Sequence, residues 1–278
     1  MNFSFKYIAS QMFTNYYKNK IYVAIRYVSH NKFLLQNFFT YKLFKKPRNQ
    51  YKIKMLVVQN KDYVWVSLHC IISFLRFNPG STFEVTVDET TVHLAKRIYK
   101  CIDRKRISLI FEKNNNLPPL WKKAELIVSM QGTEFIFMDA DLRWHKALPK
   151  LPIYGVTVLS KEFDLLENSN YKKMIKANNW KHSKSLYMLN TSFIYLNKNS
   201  FVYSFKTVLN LLKNFEAVFN DSFGFTTKEN VIRLSEQIVL SYLLQAATVS
   251  GLDDLINNSD KIGVESTYFG ATGLRFGR

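Results

Sequence analysis

The hydrophobic positions of this chain change period along its length, and each change marks an element. Between Ile21 and Phe44 the apolar residues Ile25, Val28, Leu35, Phe38 and Phe39 follow helical spacing, and Lys45-Lys46-Pro47 closes the pattern. From Tyr51 the character turns to α/β. Ile53–Val58 is a short β-type run that stops at Gln59-Asn60. Tyr63–Phe77 has helical spacing closed by Asn78-Pro79-Gly80, and Phe83–Val87 alternates as a second strand. A helix over Thr91–Ile102, a strand over Ile107–Phe111, a helix over Leu120–Met130 after Pro118-Pro119 and a strand over Glu134–Met138 continue the series. This alternation predicts a mostly parallel sheet with helices on both faces.

Further along, the pattern loosens. Tyr154–Leu159 and Ser192–Leu196 read as strands, and Val202–Phe219 and Ser235–Ala247 as helices. Gly263–Arg278 carries four of the nine glycines and reads as a loop. The expected organisation is a basic, aromatic helical appendage over residues 1–50 and one α/β domain over residues 51–278.

Charge sharpens that division. The net charge is +18, and eleven basic residues fall between Met1 and Lys54 with no acid before Asp62. The same stretch holds fourteen aromatics. Two readings fit it: a helix lying on an anionic membrane surface with its aromatics at the interface, or a helix packed on the main domain with a basic outer face. No apolar run approaches the roughly 20 residues needed to span a bilayer. There is no compact apolar block of a secretory signal, and two cysteines, Cys70 and Cys101, make no disulfide framework; both fall in predicted helices. A cytoplasmic location, peripheral on the membrane's cytoplasmic face, is therefore expected.

The sharpest chemical signal is Phe135-Ile136-Phe137-Met138-Asp139-Ala140-Asp141, an apolar strand running into two carboxylates one residue apart. In an open α/β sheet, ligands bind beyond the carboxyl ends of the strands. Carboxylates so placed suit a hard divalent cation, Mn²⁺ or Mg²⁺, with diphosphate oxygens completing its shell. His145, four residues after Asp141, is a candidate further ligand or an exposed polar histidine. Lys122 and Lys123 open the preceding helix, as diphosphate-binding cations or as a solvated helix face. Arg275 and Arg278 stand in the glycine-rich tail, either as guanidinium groups suited to phosphate or as part of a frayed, disordered end. Asp88, at the end of the second strand, is either a ribose or base ligand or a turn aspartate.

With these residues in place, the chain from Tyr51 to Gln245 resembles the GT-A fold glycosyltransferases, the nucleotide-diphospho-sugar transferases. Four features carry the resemblance. The first strand ends in Gln59-Asn60, where the family seats its nucleotide base, and Asp139-Ala140-Asp141 matches the family's metal motif. Leu189-Asn190-Thr191-Ser192 is similar to an Asn-(Ser/Thr)-Gly strand entry lining the sugar cleft, with Ser192 in place of glycine. Ser235-Glu236-Gln237 is similar to an Asp-Gln that opens a late helix, with Glu236 in place of aspartate.

The resemblance implies a metal-dependent enzyme that moves a sugar from a nucleotide-diphosphate donor to a glycan or lipid-linked acceptor, and the Asn/Lys-biased composition adds an expected role in surface polysaccharide assembly. It implies metal ligation by Asp139 and Asp141, catalytic roles for Asp141 and Glu236, and donor contacts from Gln59, Asn60, Asn190, Thr191 and Arg275, to which Asp88 and Lys123 are added on their own position and charge. Glu236 would act as general base if the reaction inverts, or orient acceptor or sugar if it retains.

A rival from another class is a nucleic-acid-binding protein, because basic residues interleaved with aromatics suit phosphate contact and base stacking. That reading leaves the acidic pair of the central strand without a purpose. A nucleotidyltransferase would share the metal motif, but Gln59-Asn60-Lys61-Asp62 lacks the glycines expected after its first strand.

Overall fold

The computed structural model describes residues 50–102, 105–113, 117–167, 169–177, 179–180, 185–196, 203–223, 228–245, 247–252 and 264–266. The chain divides between Lys45 and Lys46, and the described fold is that of the second unit. The expected N-terminal helix, Arg275 and Arg278 lie outside the described residues.

Strand β1 (Lys52–Val57), helix α1 (Asp62–Phe77), β2 (Thr82–Val87), α2 (Val92–Ile98) and β3 (Ile107–Phe111) succeed one another as the pattern predicts. Helix α3 (Pro119–Ser129) begins with proline at a position where its missing N–H costs nothing, and β4 (Phe135–Met138) comes next. A short β5 (Leu142–Trp144), a long β6 (Val156–Asp164), α4 (Ser169–Ala177) and β7 (Tyr187–Leu196) lead to α5 (Phe205–Phe223), α6 (Lys228–Leu244), β8 (Val249–Gly251) and β9 (Val264–Ser266). The tail segment read as a loop therefore includes a strand, β9, which pairs antiparallel with β5.

The seven-stranded sheet has the order β3-β2-β1-β4-β7-β6-β8. All its strands run one way except β7, which is antiparallel to both β4 and β6. Helix α1 is apolar nearly all round, which suits a helix buried between sheet and second layer. Its Phe74 meets Phe83 edge-on at 5.7 Å and Trp144 at 5.0 Å between ring centroids, and Trp144 meets Phe193 at 5.9 Å. This aromatic row, with a Trp144 N–H···Ser73 Oγ bond of 3.1 Å, fixes β5 directly after the acidic pair.

On the other face, α3, α5 and α6 bury Trp121, Ile127, Leu212, Phe215, Ile238 and Leu243 in one cluster with Phe137, Val158 and Ile194. Each such side chain withdrawn from water contributes about 1.5–3 kcal/mol. That cover is uneven. Over β1 and β2 the same face carries Lys54 and Glu84, paired across the strands at 3.0 Å, with the Lys54 ammonium 4.8 Å from the Phe135 ring. No helix among the described residues is long and apolar enough to cross a membrane.

Candidate active site at the carboxyl end of the sheet

Strand β4 delivers the acidic pair. The Asp139 amide donates to the Ser192 carbonyl at 2.8 Å, extending the β4–β7 ladder to the first carboxylate. Burial then alternates: Met138, Ala140 and Leu142 are buried, while Asp139 and Asp141 are half-buried. Spacing of two therefore leaves both acids outside the core. Beneath them Cys70 of α1 is fully buried, its Sγ 3.6 Å from both the Asp139 carbonyl and Met138 Sδ. Burial first, and the charge of Asp141 second, push its thiol well above the ordinary value. It is the core residue that its helical setting predicts.

Three distant segments converge on Asp139. The Lys123 ammonium of α3 lies 3.0 Å from Asp139 Oδ2, 3.2 Å from Thr191 Oγ1 and 3.5 Å from Glu236 Oε1. The Thr191 hydroxyl donates to Glu236 Oε1 at 3.3 Å. Burial pulls the Lys123 ammonium down in pKa, but Asp139 and then Glu236 outweigh it, so the group stays above the usual lysine value and is charged. Burial raises the Glu236 carboxyl, with Lys123 opposing and Asp139 reinforcing the rise.

Two sequence expectations are corrected here. Lys122 and Lys123 are both buried, at 2% and 6% exposure, so neither belongs to a solvated face. Lys123 directs its ammonium to the oxygens of Asp139, Thr191 and Glu236. Ser235-Glu236-Gln237 does not open a helix either: α6 begins at Lys228, and the tripeptide lies in its middle.

A polar row on α6, unrecognised in the sequence, explains how β7 is held. Gln237 Nε2 donates to the Leu189 carbonyl at 3.1 Å, and the Leu189 amide donates to Ser241 Oγ at 2.8 Å. Gln245 accepts from the Tyr187 amide at 2.8 Å and donates to the Tyr187 carbonyl at 2.7 Å. Positions 237, 241 and 245 are one turn apart, so a single helix face satisfies backbone groups of β7 where its pairing with β6 slips register. The signal was present as three polar residues at four-residue steps in the otherwise apolar stretch Gln237–Gln245. Asn190, on the same strand, turns its Oδ1 to the Ser192 amide at 3.1 Å.

The other expected donor residues gather at the end of β1. Gln59 has φ of 63°, a left-handed conformation unfavourable for a residue with a side chain. Its amide donates to Asp88 Oδ2 at 2.7 Å, and its Nε2 to the Leu117 carbonyl at 3.2 Å. Asp88 Oδ1 accepts from the amides of Thr90 and Thr91, each at 3.1 Å, and Asp88 is completely buried. It therefore supports the Gln59 turn from a buried position. Asn60 accepts from the Asp62 amide at 2.9 Å, closing the start of α1.

Asp139 and Asp141 offer hard oxygen donors of the kind divalent cations prefer. Among the described residues no group of three His, Cys, Asp or Glu side chains forms a metal-holding cluster. The two carboxylates fit a cation whose remaining ligands come from substrate and water. A separate cavity of about 200 Å³, lined by Lys52, Thr82, Arg106 and Phe135 among others, lies at the opposite, amino ends of β1 to β4.

No family model matches the chain, and no curated protein matches it. Solved structures do. The galactosyltransferase LgtC in complex with donor and acceptor sugar analogues aligns with a TM-score of 0.53 at 11% identity, over 79% of this chain and 87% of that one. An active-site mutant of LgtC gives 0.54 at 10% identity over the same shares. The mannosyltransferase Ktr4p from S. cerevisiae gives 0.47 at 11% identity, over 94% of this chain and 85% of that one. The fold of this chain is thus the GT-A-type α/β fold found in glycosyltransferases.

Proposed function

We propose that this chain is a metal-dependent glycosyltransferase that moves a sugar from a nucleoside-diphosphate donor to a glycan or lipid-linked acceptor. The observation that carries the reading is the half-buried pair Asp139 and Asp141 at the carboxyl end of β4, on a fold shared with a galactosyltransferase captured with donor and acceptor analogues. Strand ends of this kind are where an α/β sheet binds ligands.

Asp139 and Asp141 would hold Mn²⁺ or Mg²⁺. The cation, when bound, supplies positive charge to a leaving diphosphate. The chain's own residues do the rest. Lys123, itself held by Thr191 and Glu236, fixes the Asp139 carboxylate in place, which avoids reorganisation when charge develops. Gln59 and Asn60 form the turn that would seat the nucleotide base, with Asp88 bracing it from below. Asn190 lines the approach along β7. Glu236, buried against Lys123, acts in this scheme by holding that ammonium charged. The basic, aromatic residues before Tyr51 would bring the enzyme to an anionic membrane surface, consistent with lipid-linked acceptors in surface polysaccharide assembly.

Thermal stability in UDP, GDP and CDP, each with and without Mn²⁺, tests the reading. One nucleoside diphosphate should stabilise the protein only with the metal, by about 2.7 kcal/mol at a hundredfold excess over Kd. Asp141→Asn should abolish the effect while leaving the unliganded stability intact. Stabilisation by a DNA oligonucleotide alone, fading steeply with salt, would overturn it in favour of nucleic-acid binding.

A further inference from the structure

The two edges of the sheet differ. Strand β8 closes one edge with three residues, the kind of short edge that resists pairing. Strand β3 closes the other with five, and among the described residues it pairs with β2 alone. Its end is apolar and open: Ile110 is 40% and Phe111 54% exposed.

The backbone direction is set by two bonds. The Arg106 carbonyl accepts from Phe83, and the Glu112 amide donates to Val87, both on the β2 side. Strand alternation then points the amides and carbonyls of Ile107, Leu109 and Phe111 away from β2. These groups form a ready template for another strand.

We propose that β3 is a self-association surface, on which a second copy of this chain adds its own β3 antiparallel about a twofold axis at Leu109. In that register Ile107 faces Phe111 of the second copy, Ser108 faces Ile110, and Leu109 faces Leu109. All the outward groups of residues 107, 109 and 111 pair, giving about six ladder hydrogen bonds. The same register sets Arg106 opposite Glu112 of the second copy on one face of the joined sheet, so opposite charges bracket the apolar centre twice. The Arg106 guanidinium is steadied by a 3.3 Å bond to the Ser81 carbonyl. Sliding the register by two residues loses two bonds and both charge pairs. Lys105 and Lys113 face each other at the outer rim, where water and salt screen them. A five-residue edge buries less than a standard interface, so the dimer is weak, with Kd on the order of 10–100 μM.

Sedimentation velocity of the full chain at concentrations from about 5 to 300 μM tests this, since that span brackets the expected Kd. A concentration-dependent dimer is expected. Phe111→Pro removes an outward N–H that β2 does not use, and should weaken association at least about tenfold with the fold unchanged by circular dichroism. Arg106→Glu should weaken it comparably, and Arg106→Glu combined with Glu112→Arg should restore it. A monomer throughout the range, a dimer indifferent to Phe111→Pro and Arg106→Glu, or a double charge reversal that fails to restore association would each overturn the proposal.

Discussion

The Lys123 ammonium lies 3.0 Å from Asp139 Oδ2 and 3.5 Å from Glu236 Oε1, so one buried cation joins α3, the end of β4 and the middle of α6. Around it the candidate site is an ionic core as much as a surface cleft. Its side chain is 7% exposed, that of Glu236 4% and that of Asp139 26%, a setting in which removing one partner leaves charge stranded away from water.

Lys123→Met should therefore destabilise the protein by about 3–5 kcal/mol at neutral pH. The pH dependence has a definite sign. Burial, offset in part by Lys123, already holds the Glu236 carboxyl above its ordinary value of 4.5. Without Lys123 it rises further, so the folded variant binds a proton that the unfolded chain has released. The variant then gains stability as pH falls toward 4.5 and loses it as pH rises. Urea midpoints at about pH 5 and pH 8 check this, and Lys123→Met with Glu236→Gln should recover part of the loss at the higher pH. Equal destabilisation at both pH values would contradict it.

The Gln59 turn depends on Asp88. Asp88→Ala removes the buried carboxylate that accepts from the amides of Gln59 and Thr90, while Thr91 keeps its bond to the backbone carbonyl of residue 88, and should cost about 2–4 kcal/mol. Gln59→Gly relieves the left-handed backbone and should leave stability unchanged or raised by up to about 1 kcal/mol. If Gln59 seats the nucleotide base, the glycine variant weakens donor binding at that unchanged stability. Paired denaturation and calorimetric binding curves separate the two effects.

Gly155 and Gly132 give an internal comparison. Both have positive φ, 84° and 73°. A Cβ on Gly155 would run into the Thr248 carbonyl oxygen, whereas one on Gly132 meets nothing within 4 Å. Alanine at 132 should cost about 1 kcal/mol from conformation alone, and alanine at 155 about 2 kcal/mol or more because β6 must part from the segment entering β8. Equal losses in chemical denaturation would show that the close approach to Thr248 has no energetic weight.

Cys70 should be inert. Its thiol is buried under the acidic pair and held well above the ordinary 9.0, chiefly by burial and next by Asp141. The native state thus keeps a proton that the unfolded chain releases, so this group lowers stability as pH rises past 9.0. Iodoacetamide labelling mapped by mass spectrometry should leave Cys70 unmodified in the native protein and modify it in denaturant. Fast native labelling would mean that the floor of the site opens readily.

Much of this architecture was readable in the chain itself. The strands and helices from β1 to β4 are dictated by hydrophobic period, because each buries one face against a neighbouring layer and the pattern that does so is local. The acidic pair was legible for the same reason: an apolar run specifies the strand, and the residues just beyond Met138 must emerge at its carboxyl end. Tertiary structure decided the rest. Nothing local to Lys123 tells whether its ammonium meets water or two carboxylates, since its partners Asp139 and Glu236 arrive from other elements. Asp88 reads equally as ligand or brace until β1 brings Gln59 beside it. The polar row Gln237, Ser241 and Gln245 acquires meaning only against the backbone of β7, where register slips and hydrogen bonds must be found elsewhere. Burial of apolar surface is non-directional and can be read from periodicity, whereas satisfaction of buried polar groups is directional and pairwise, and the pairs are made by the fold.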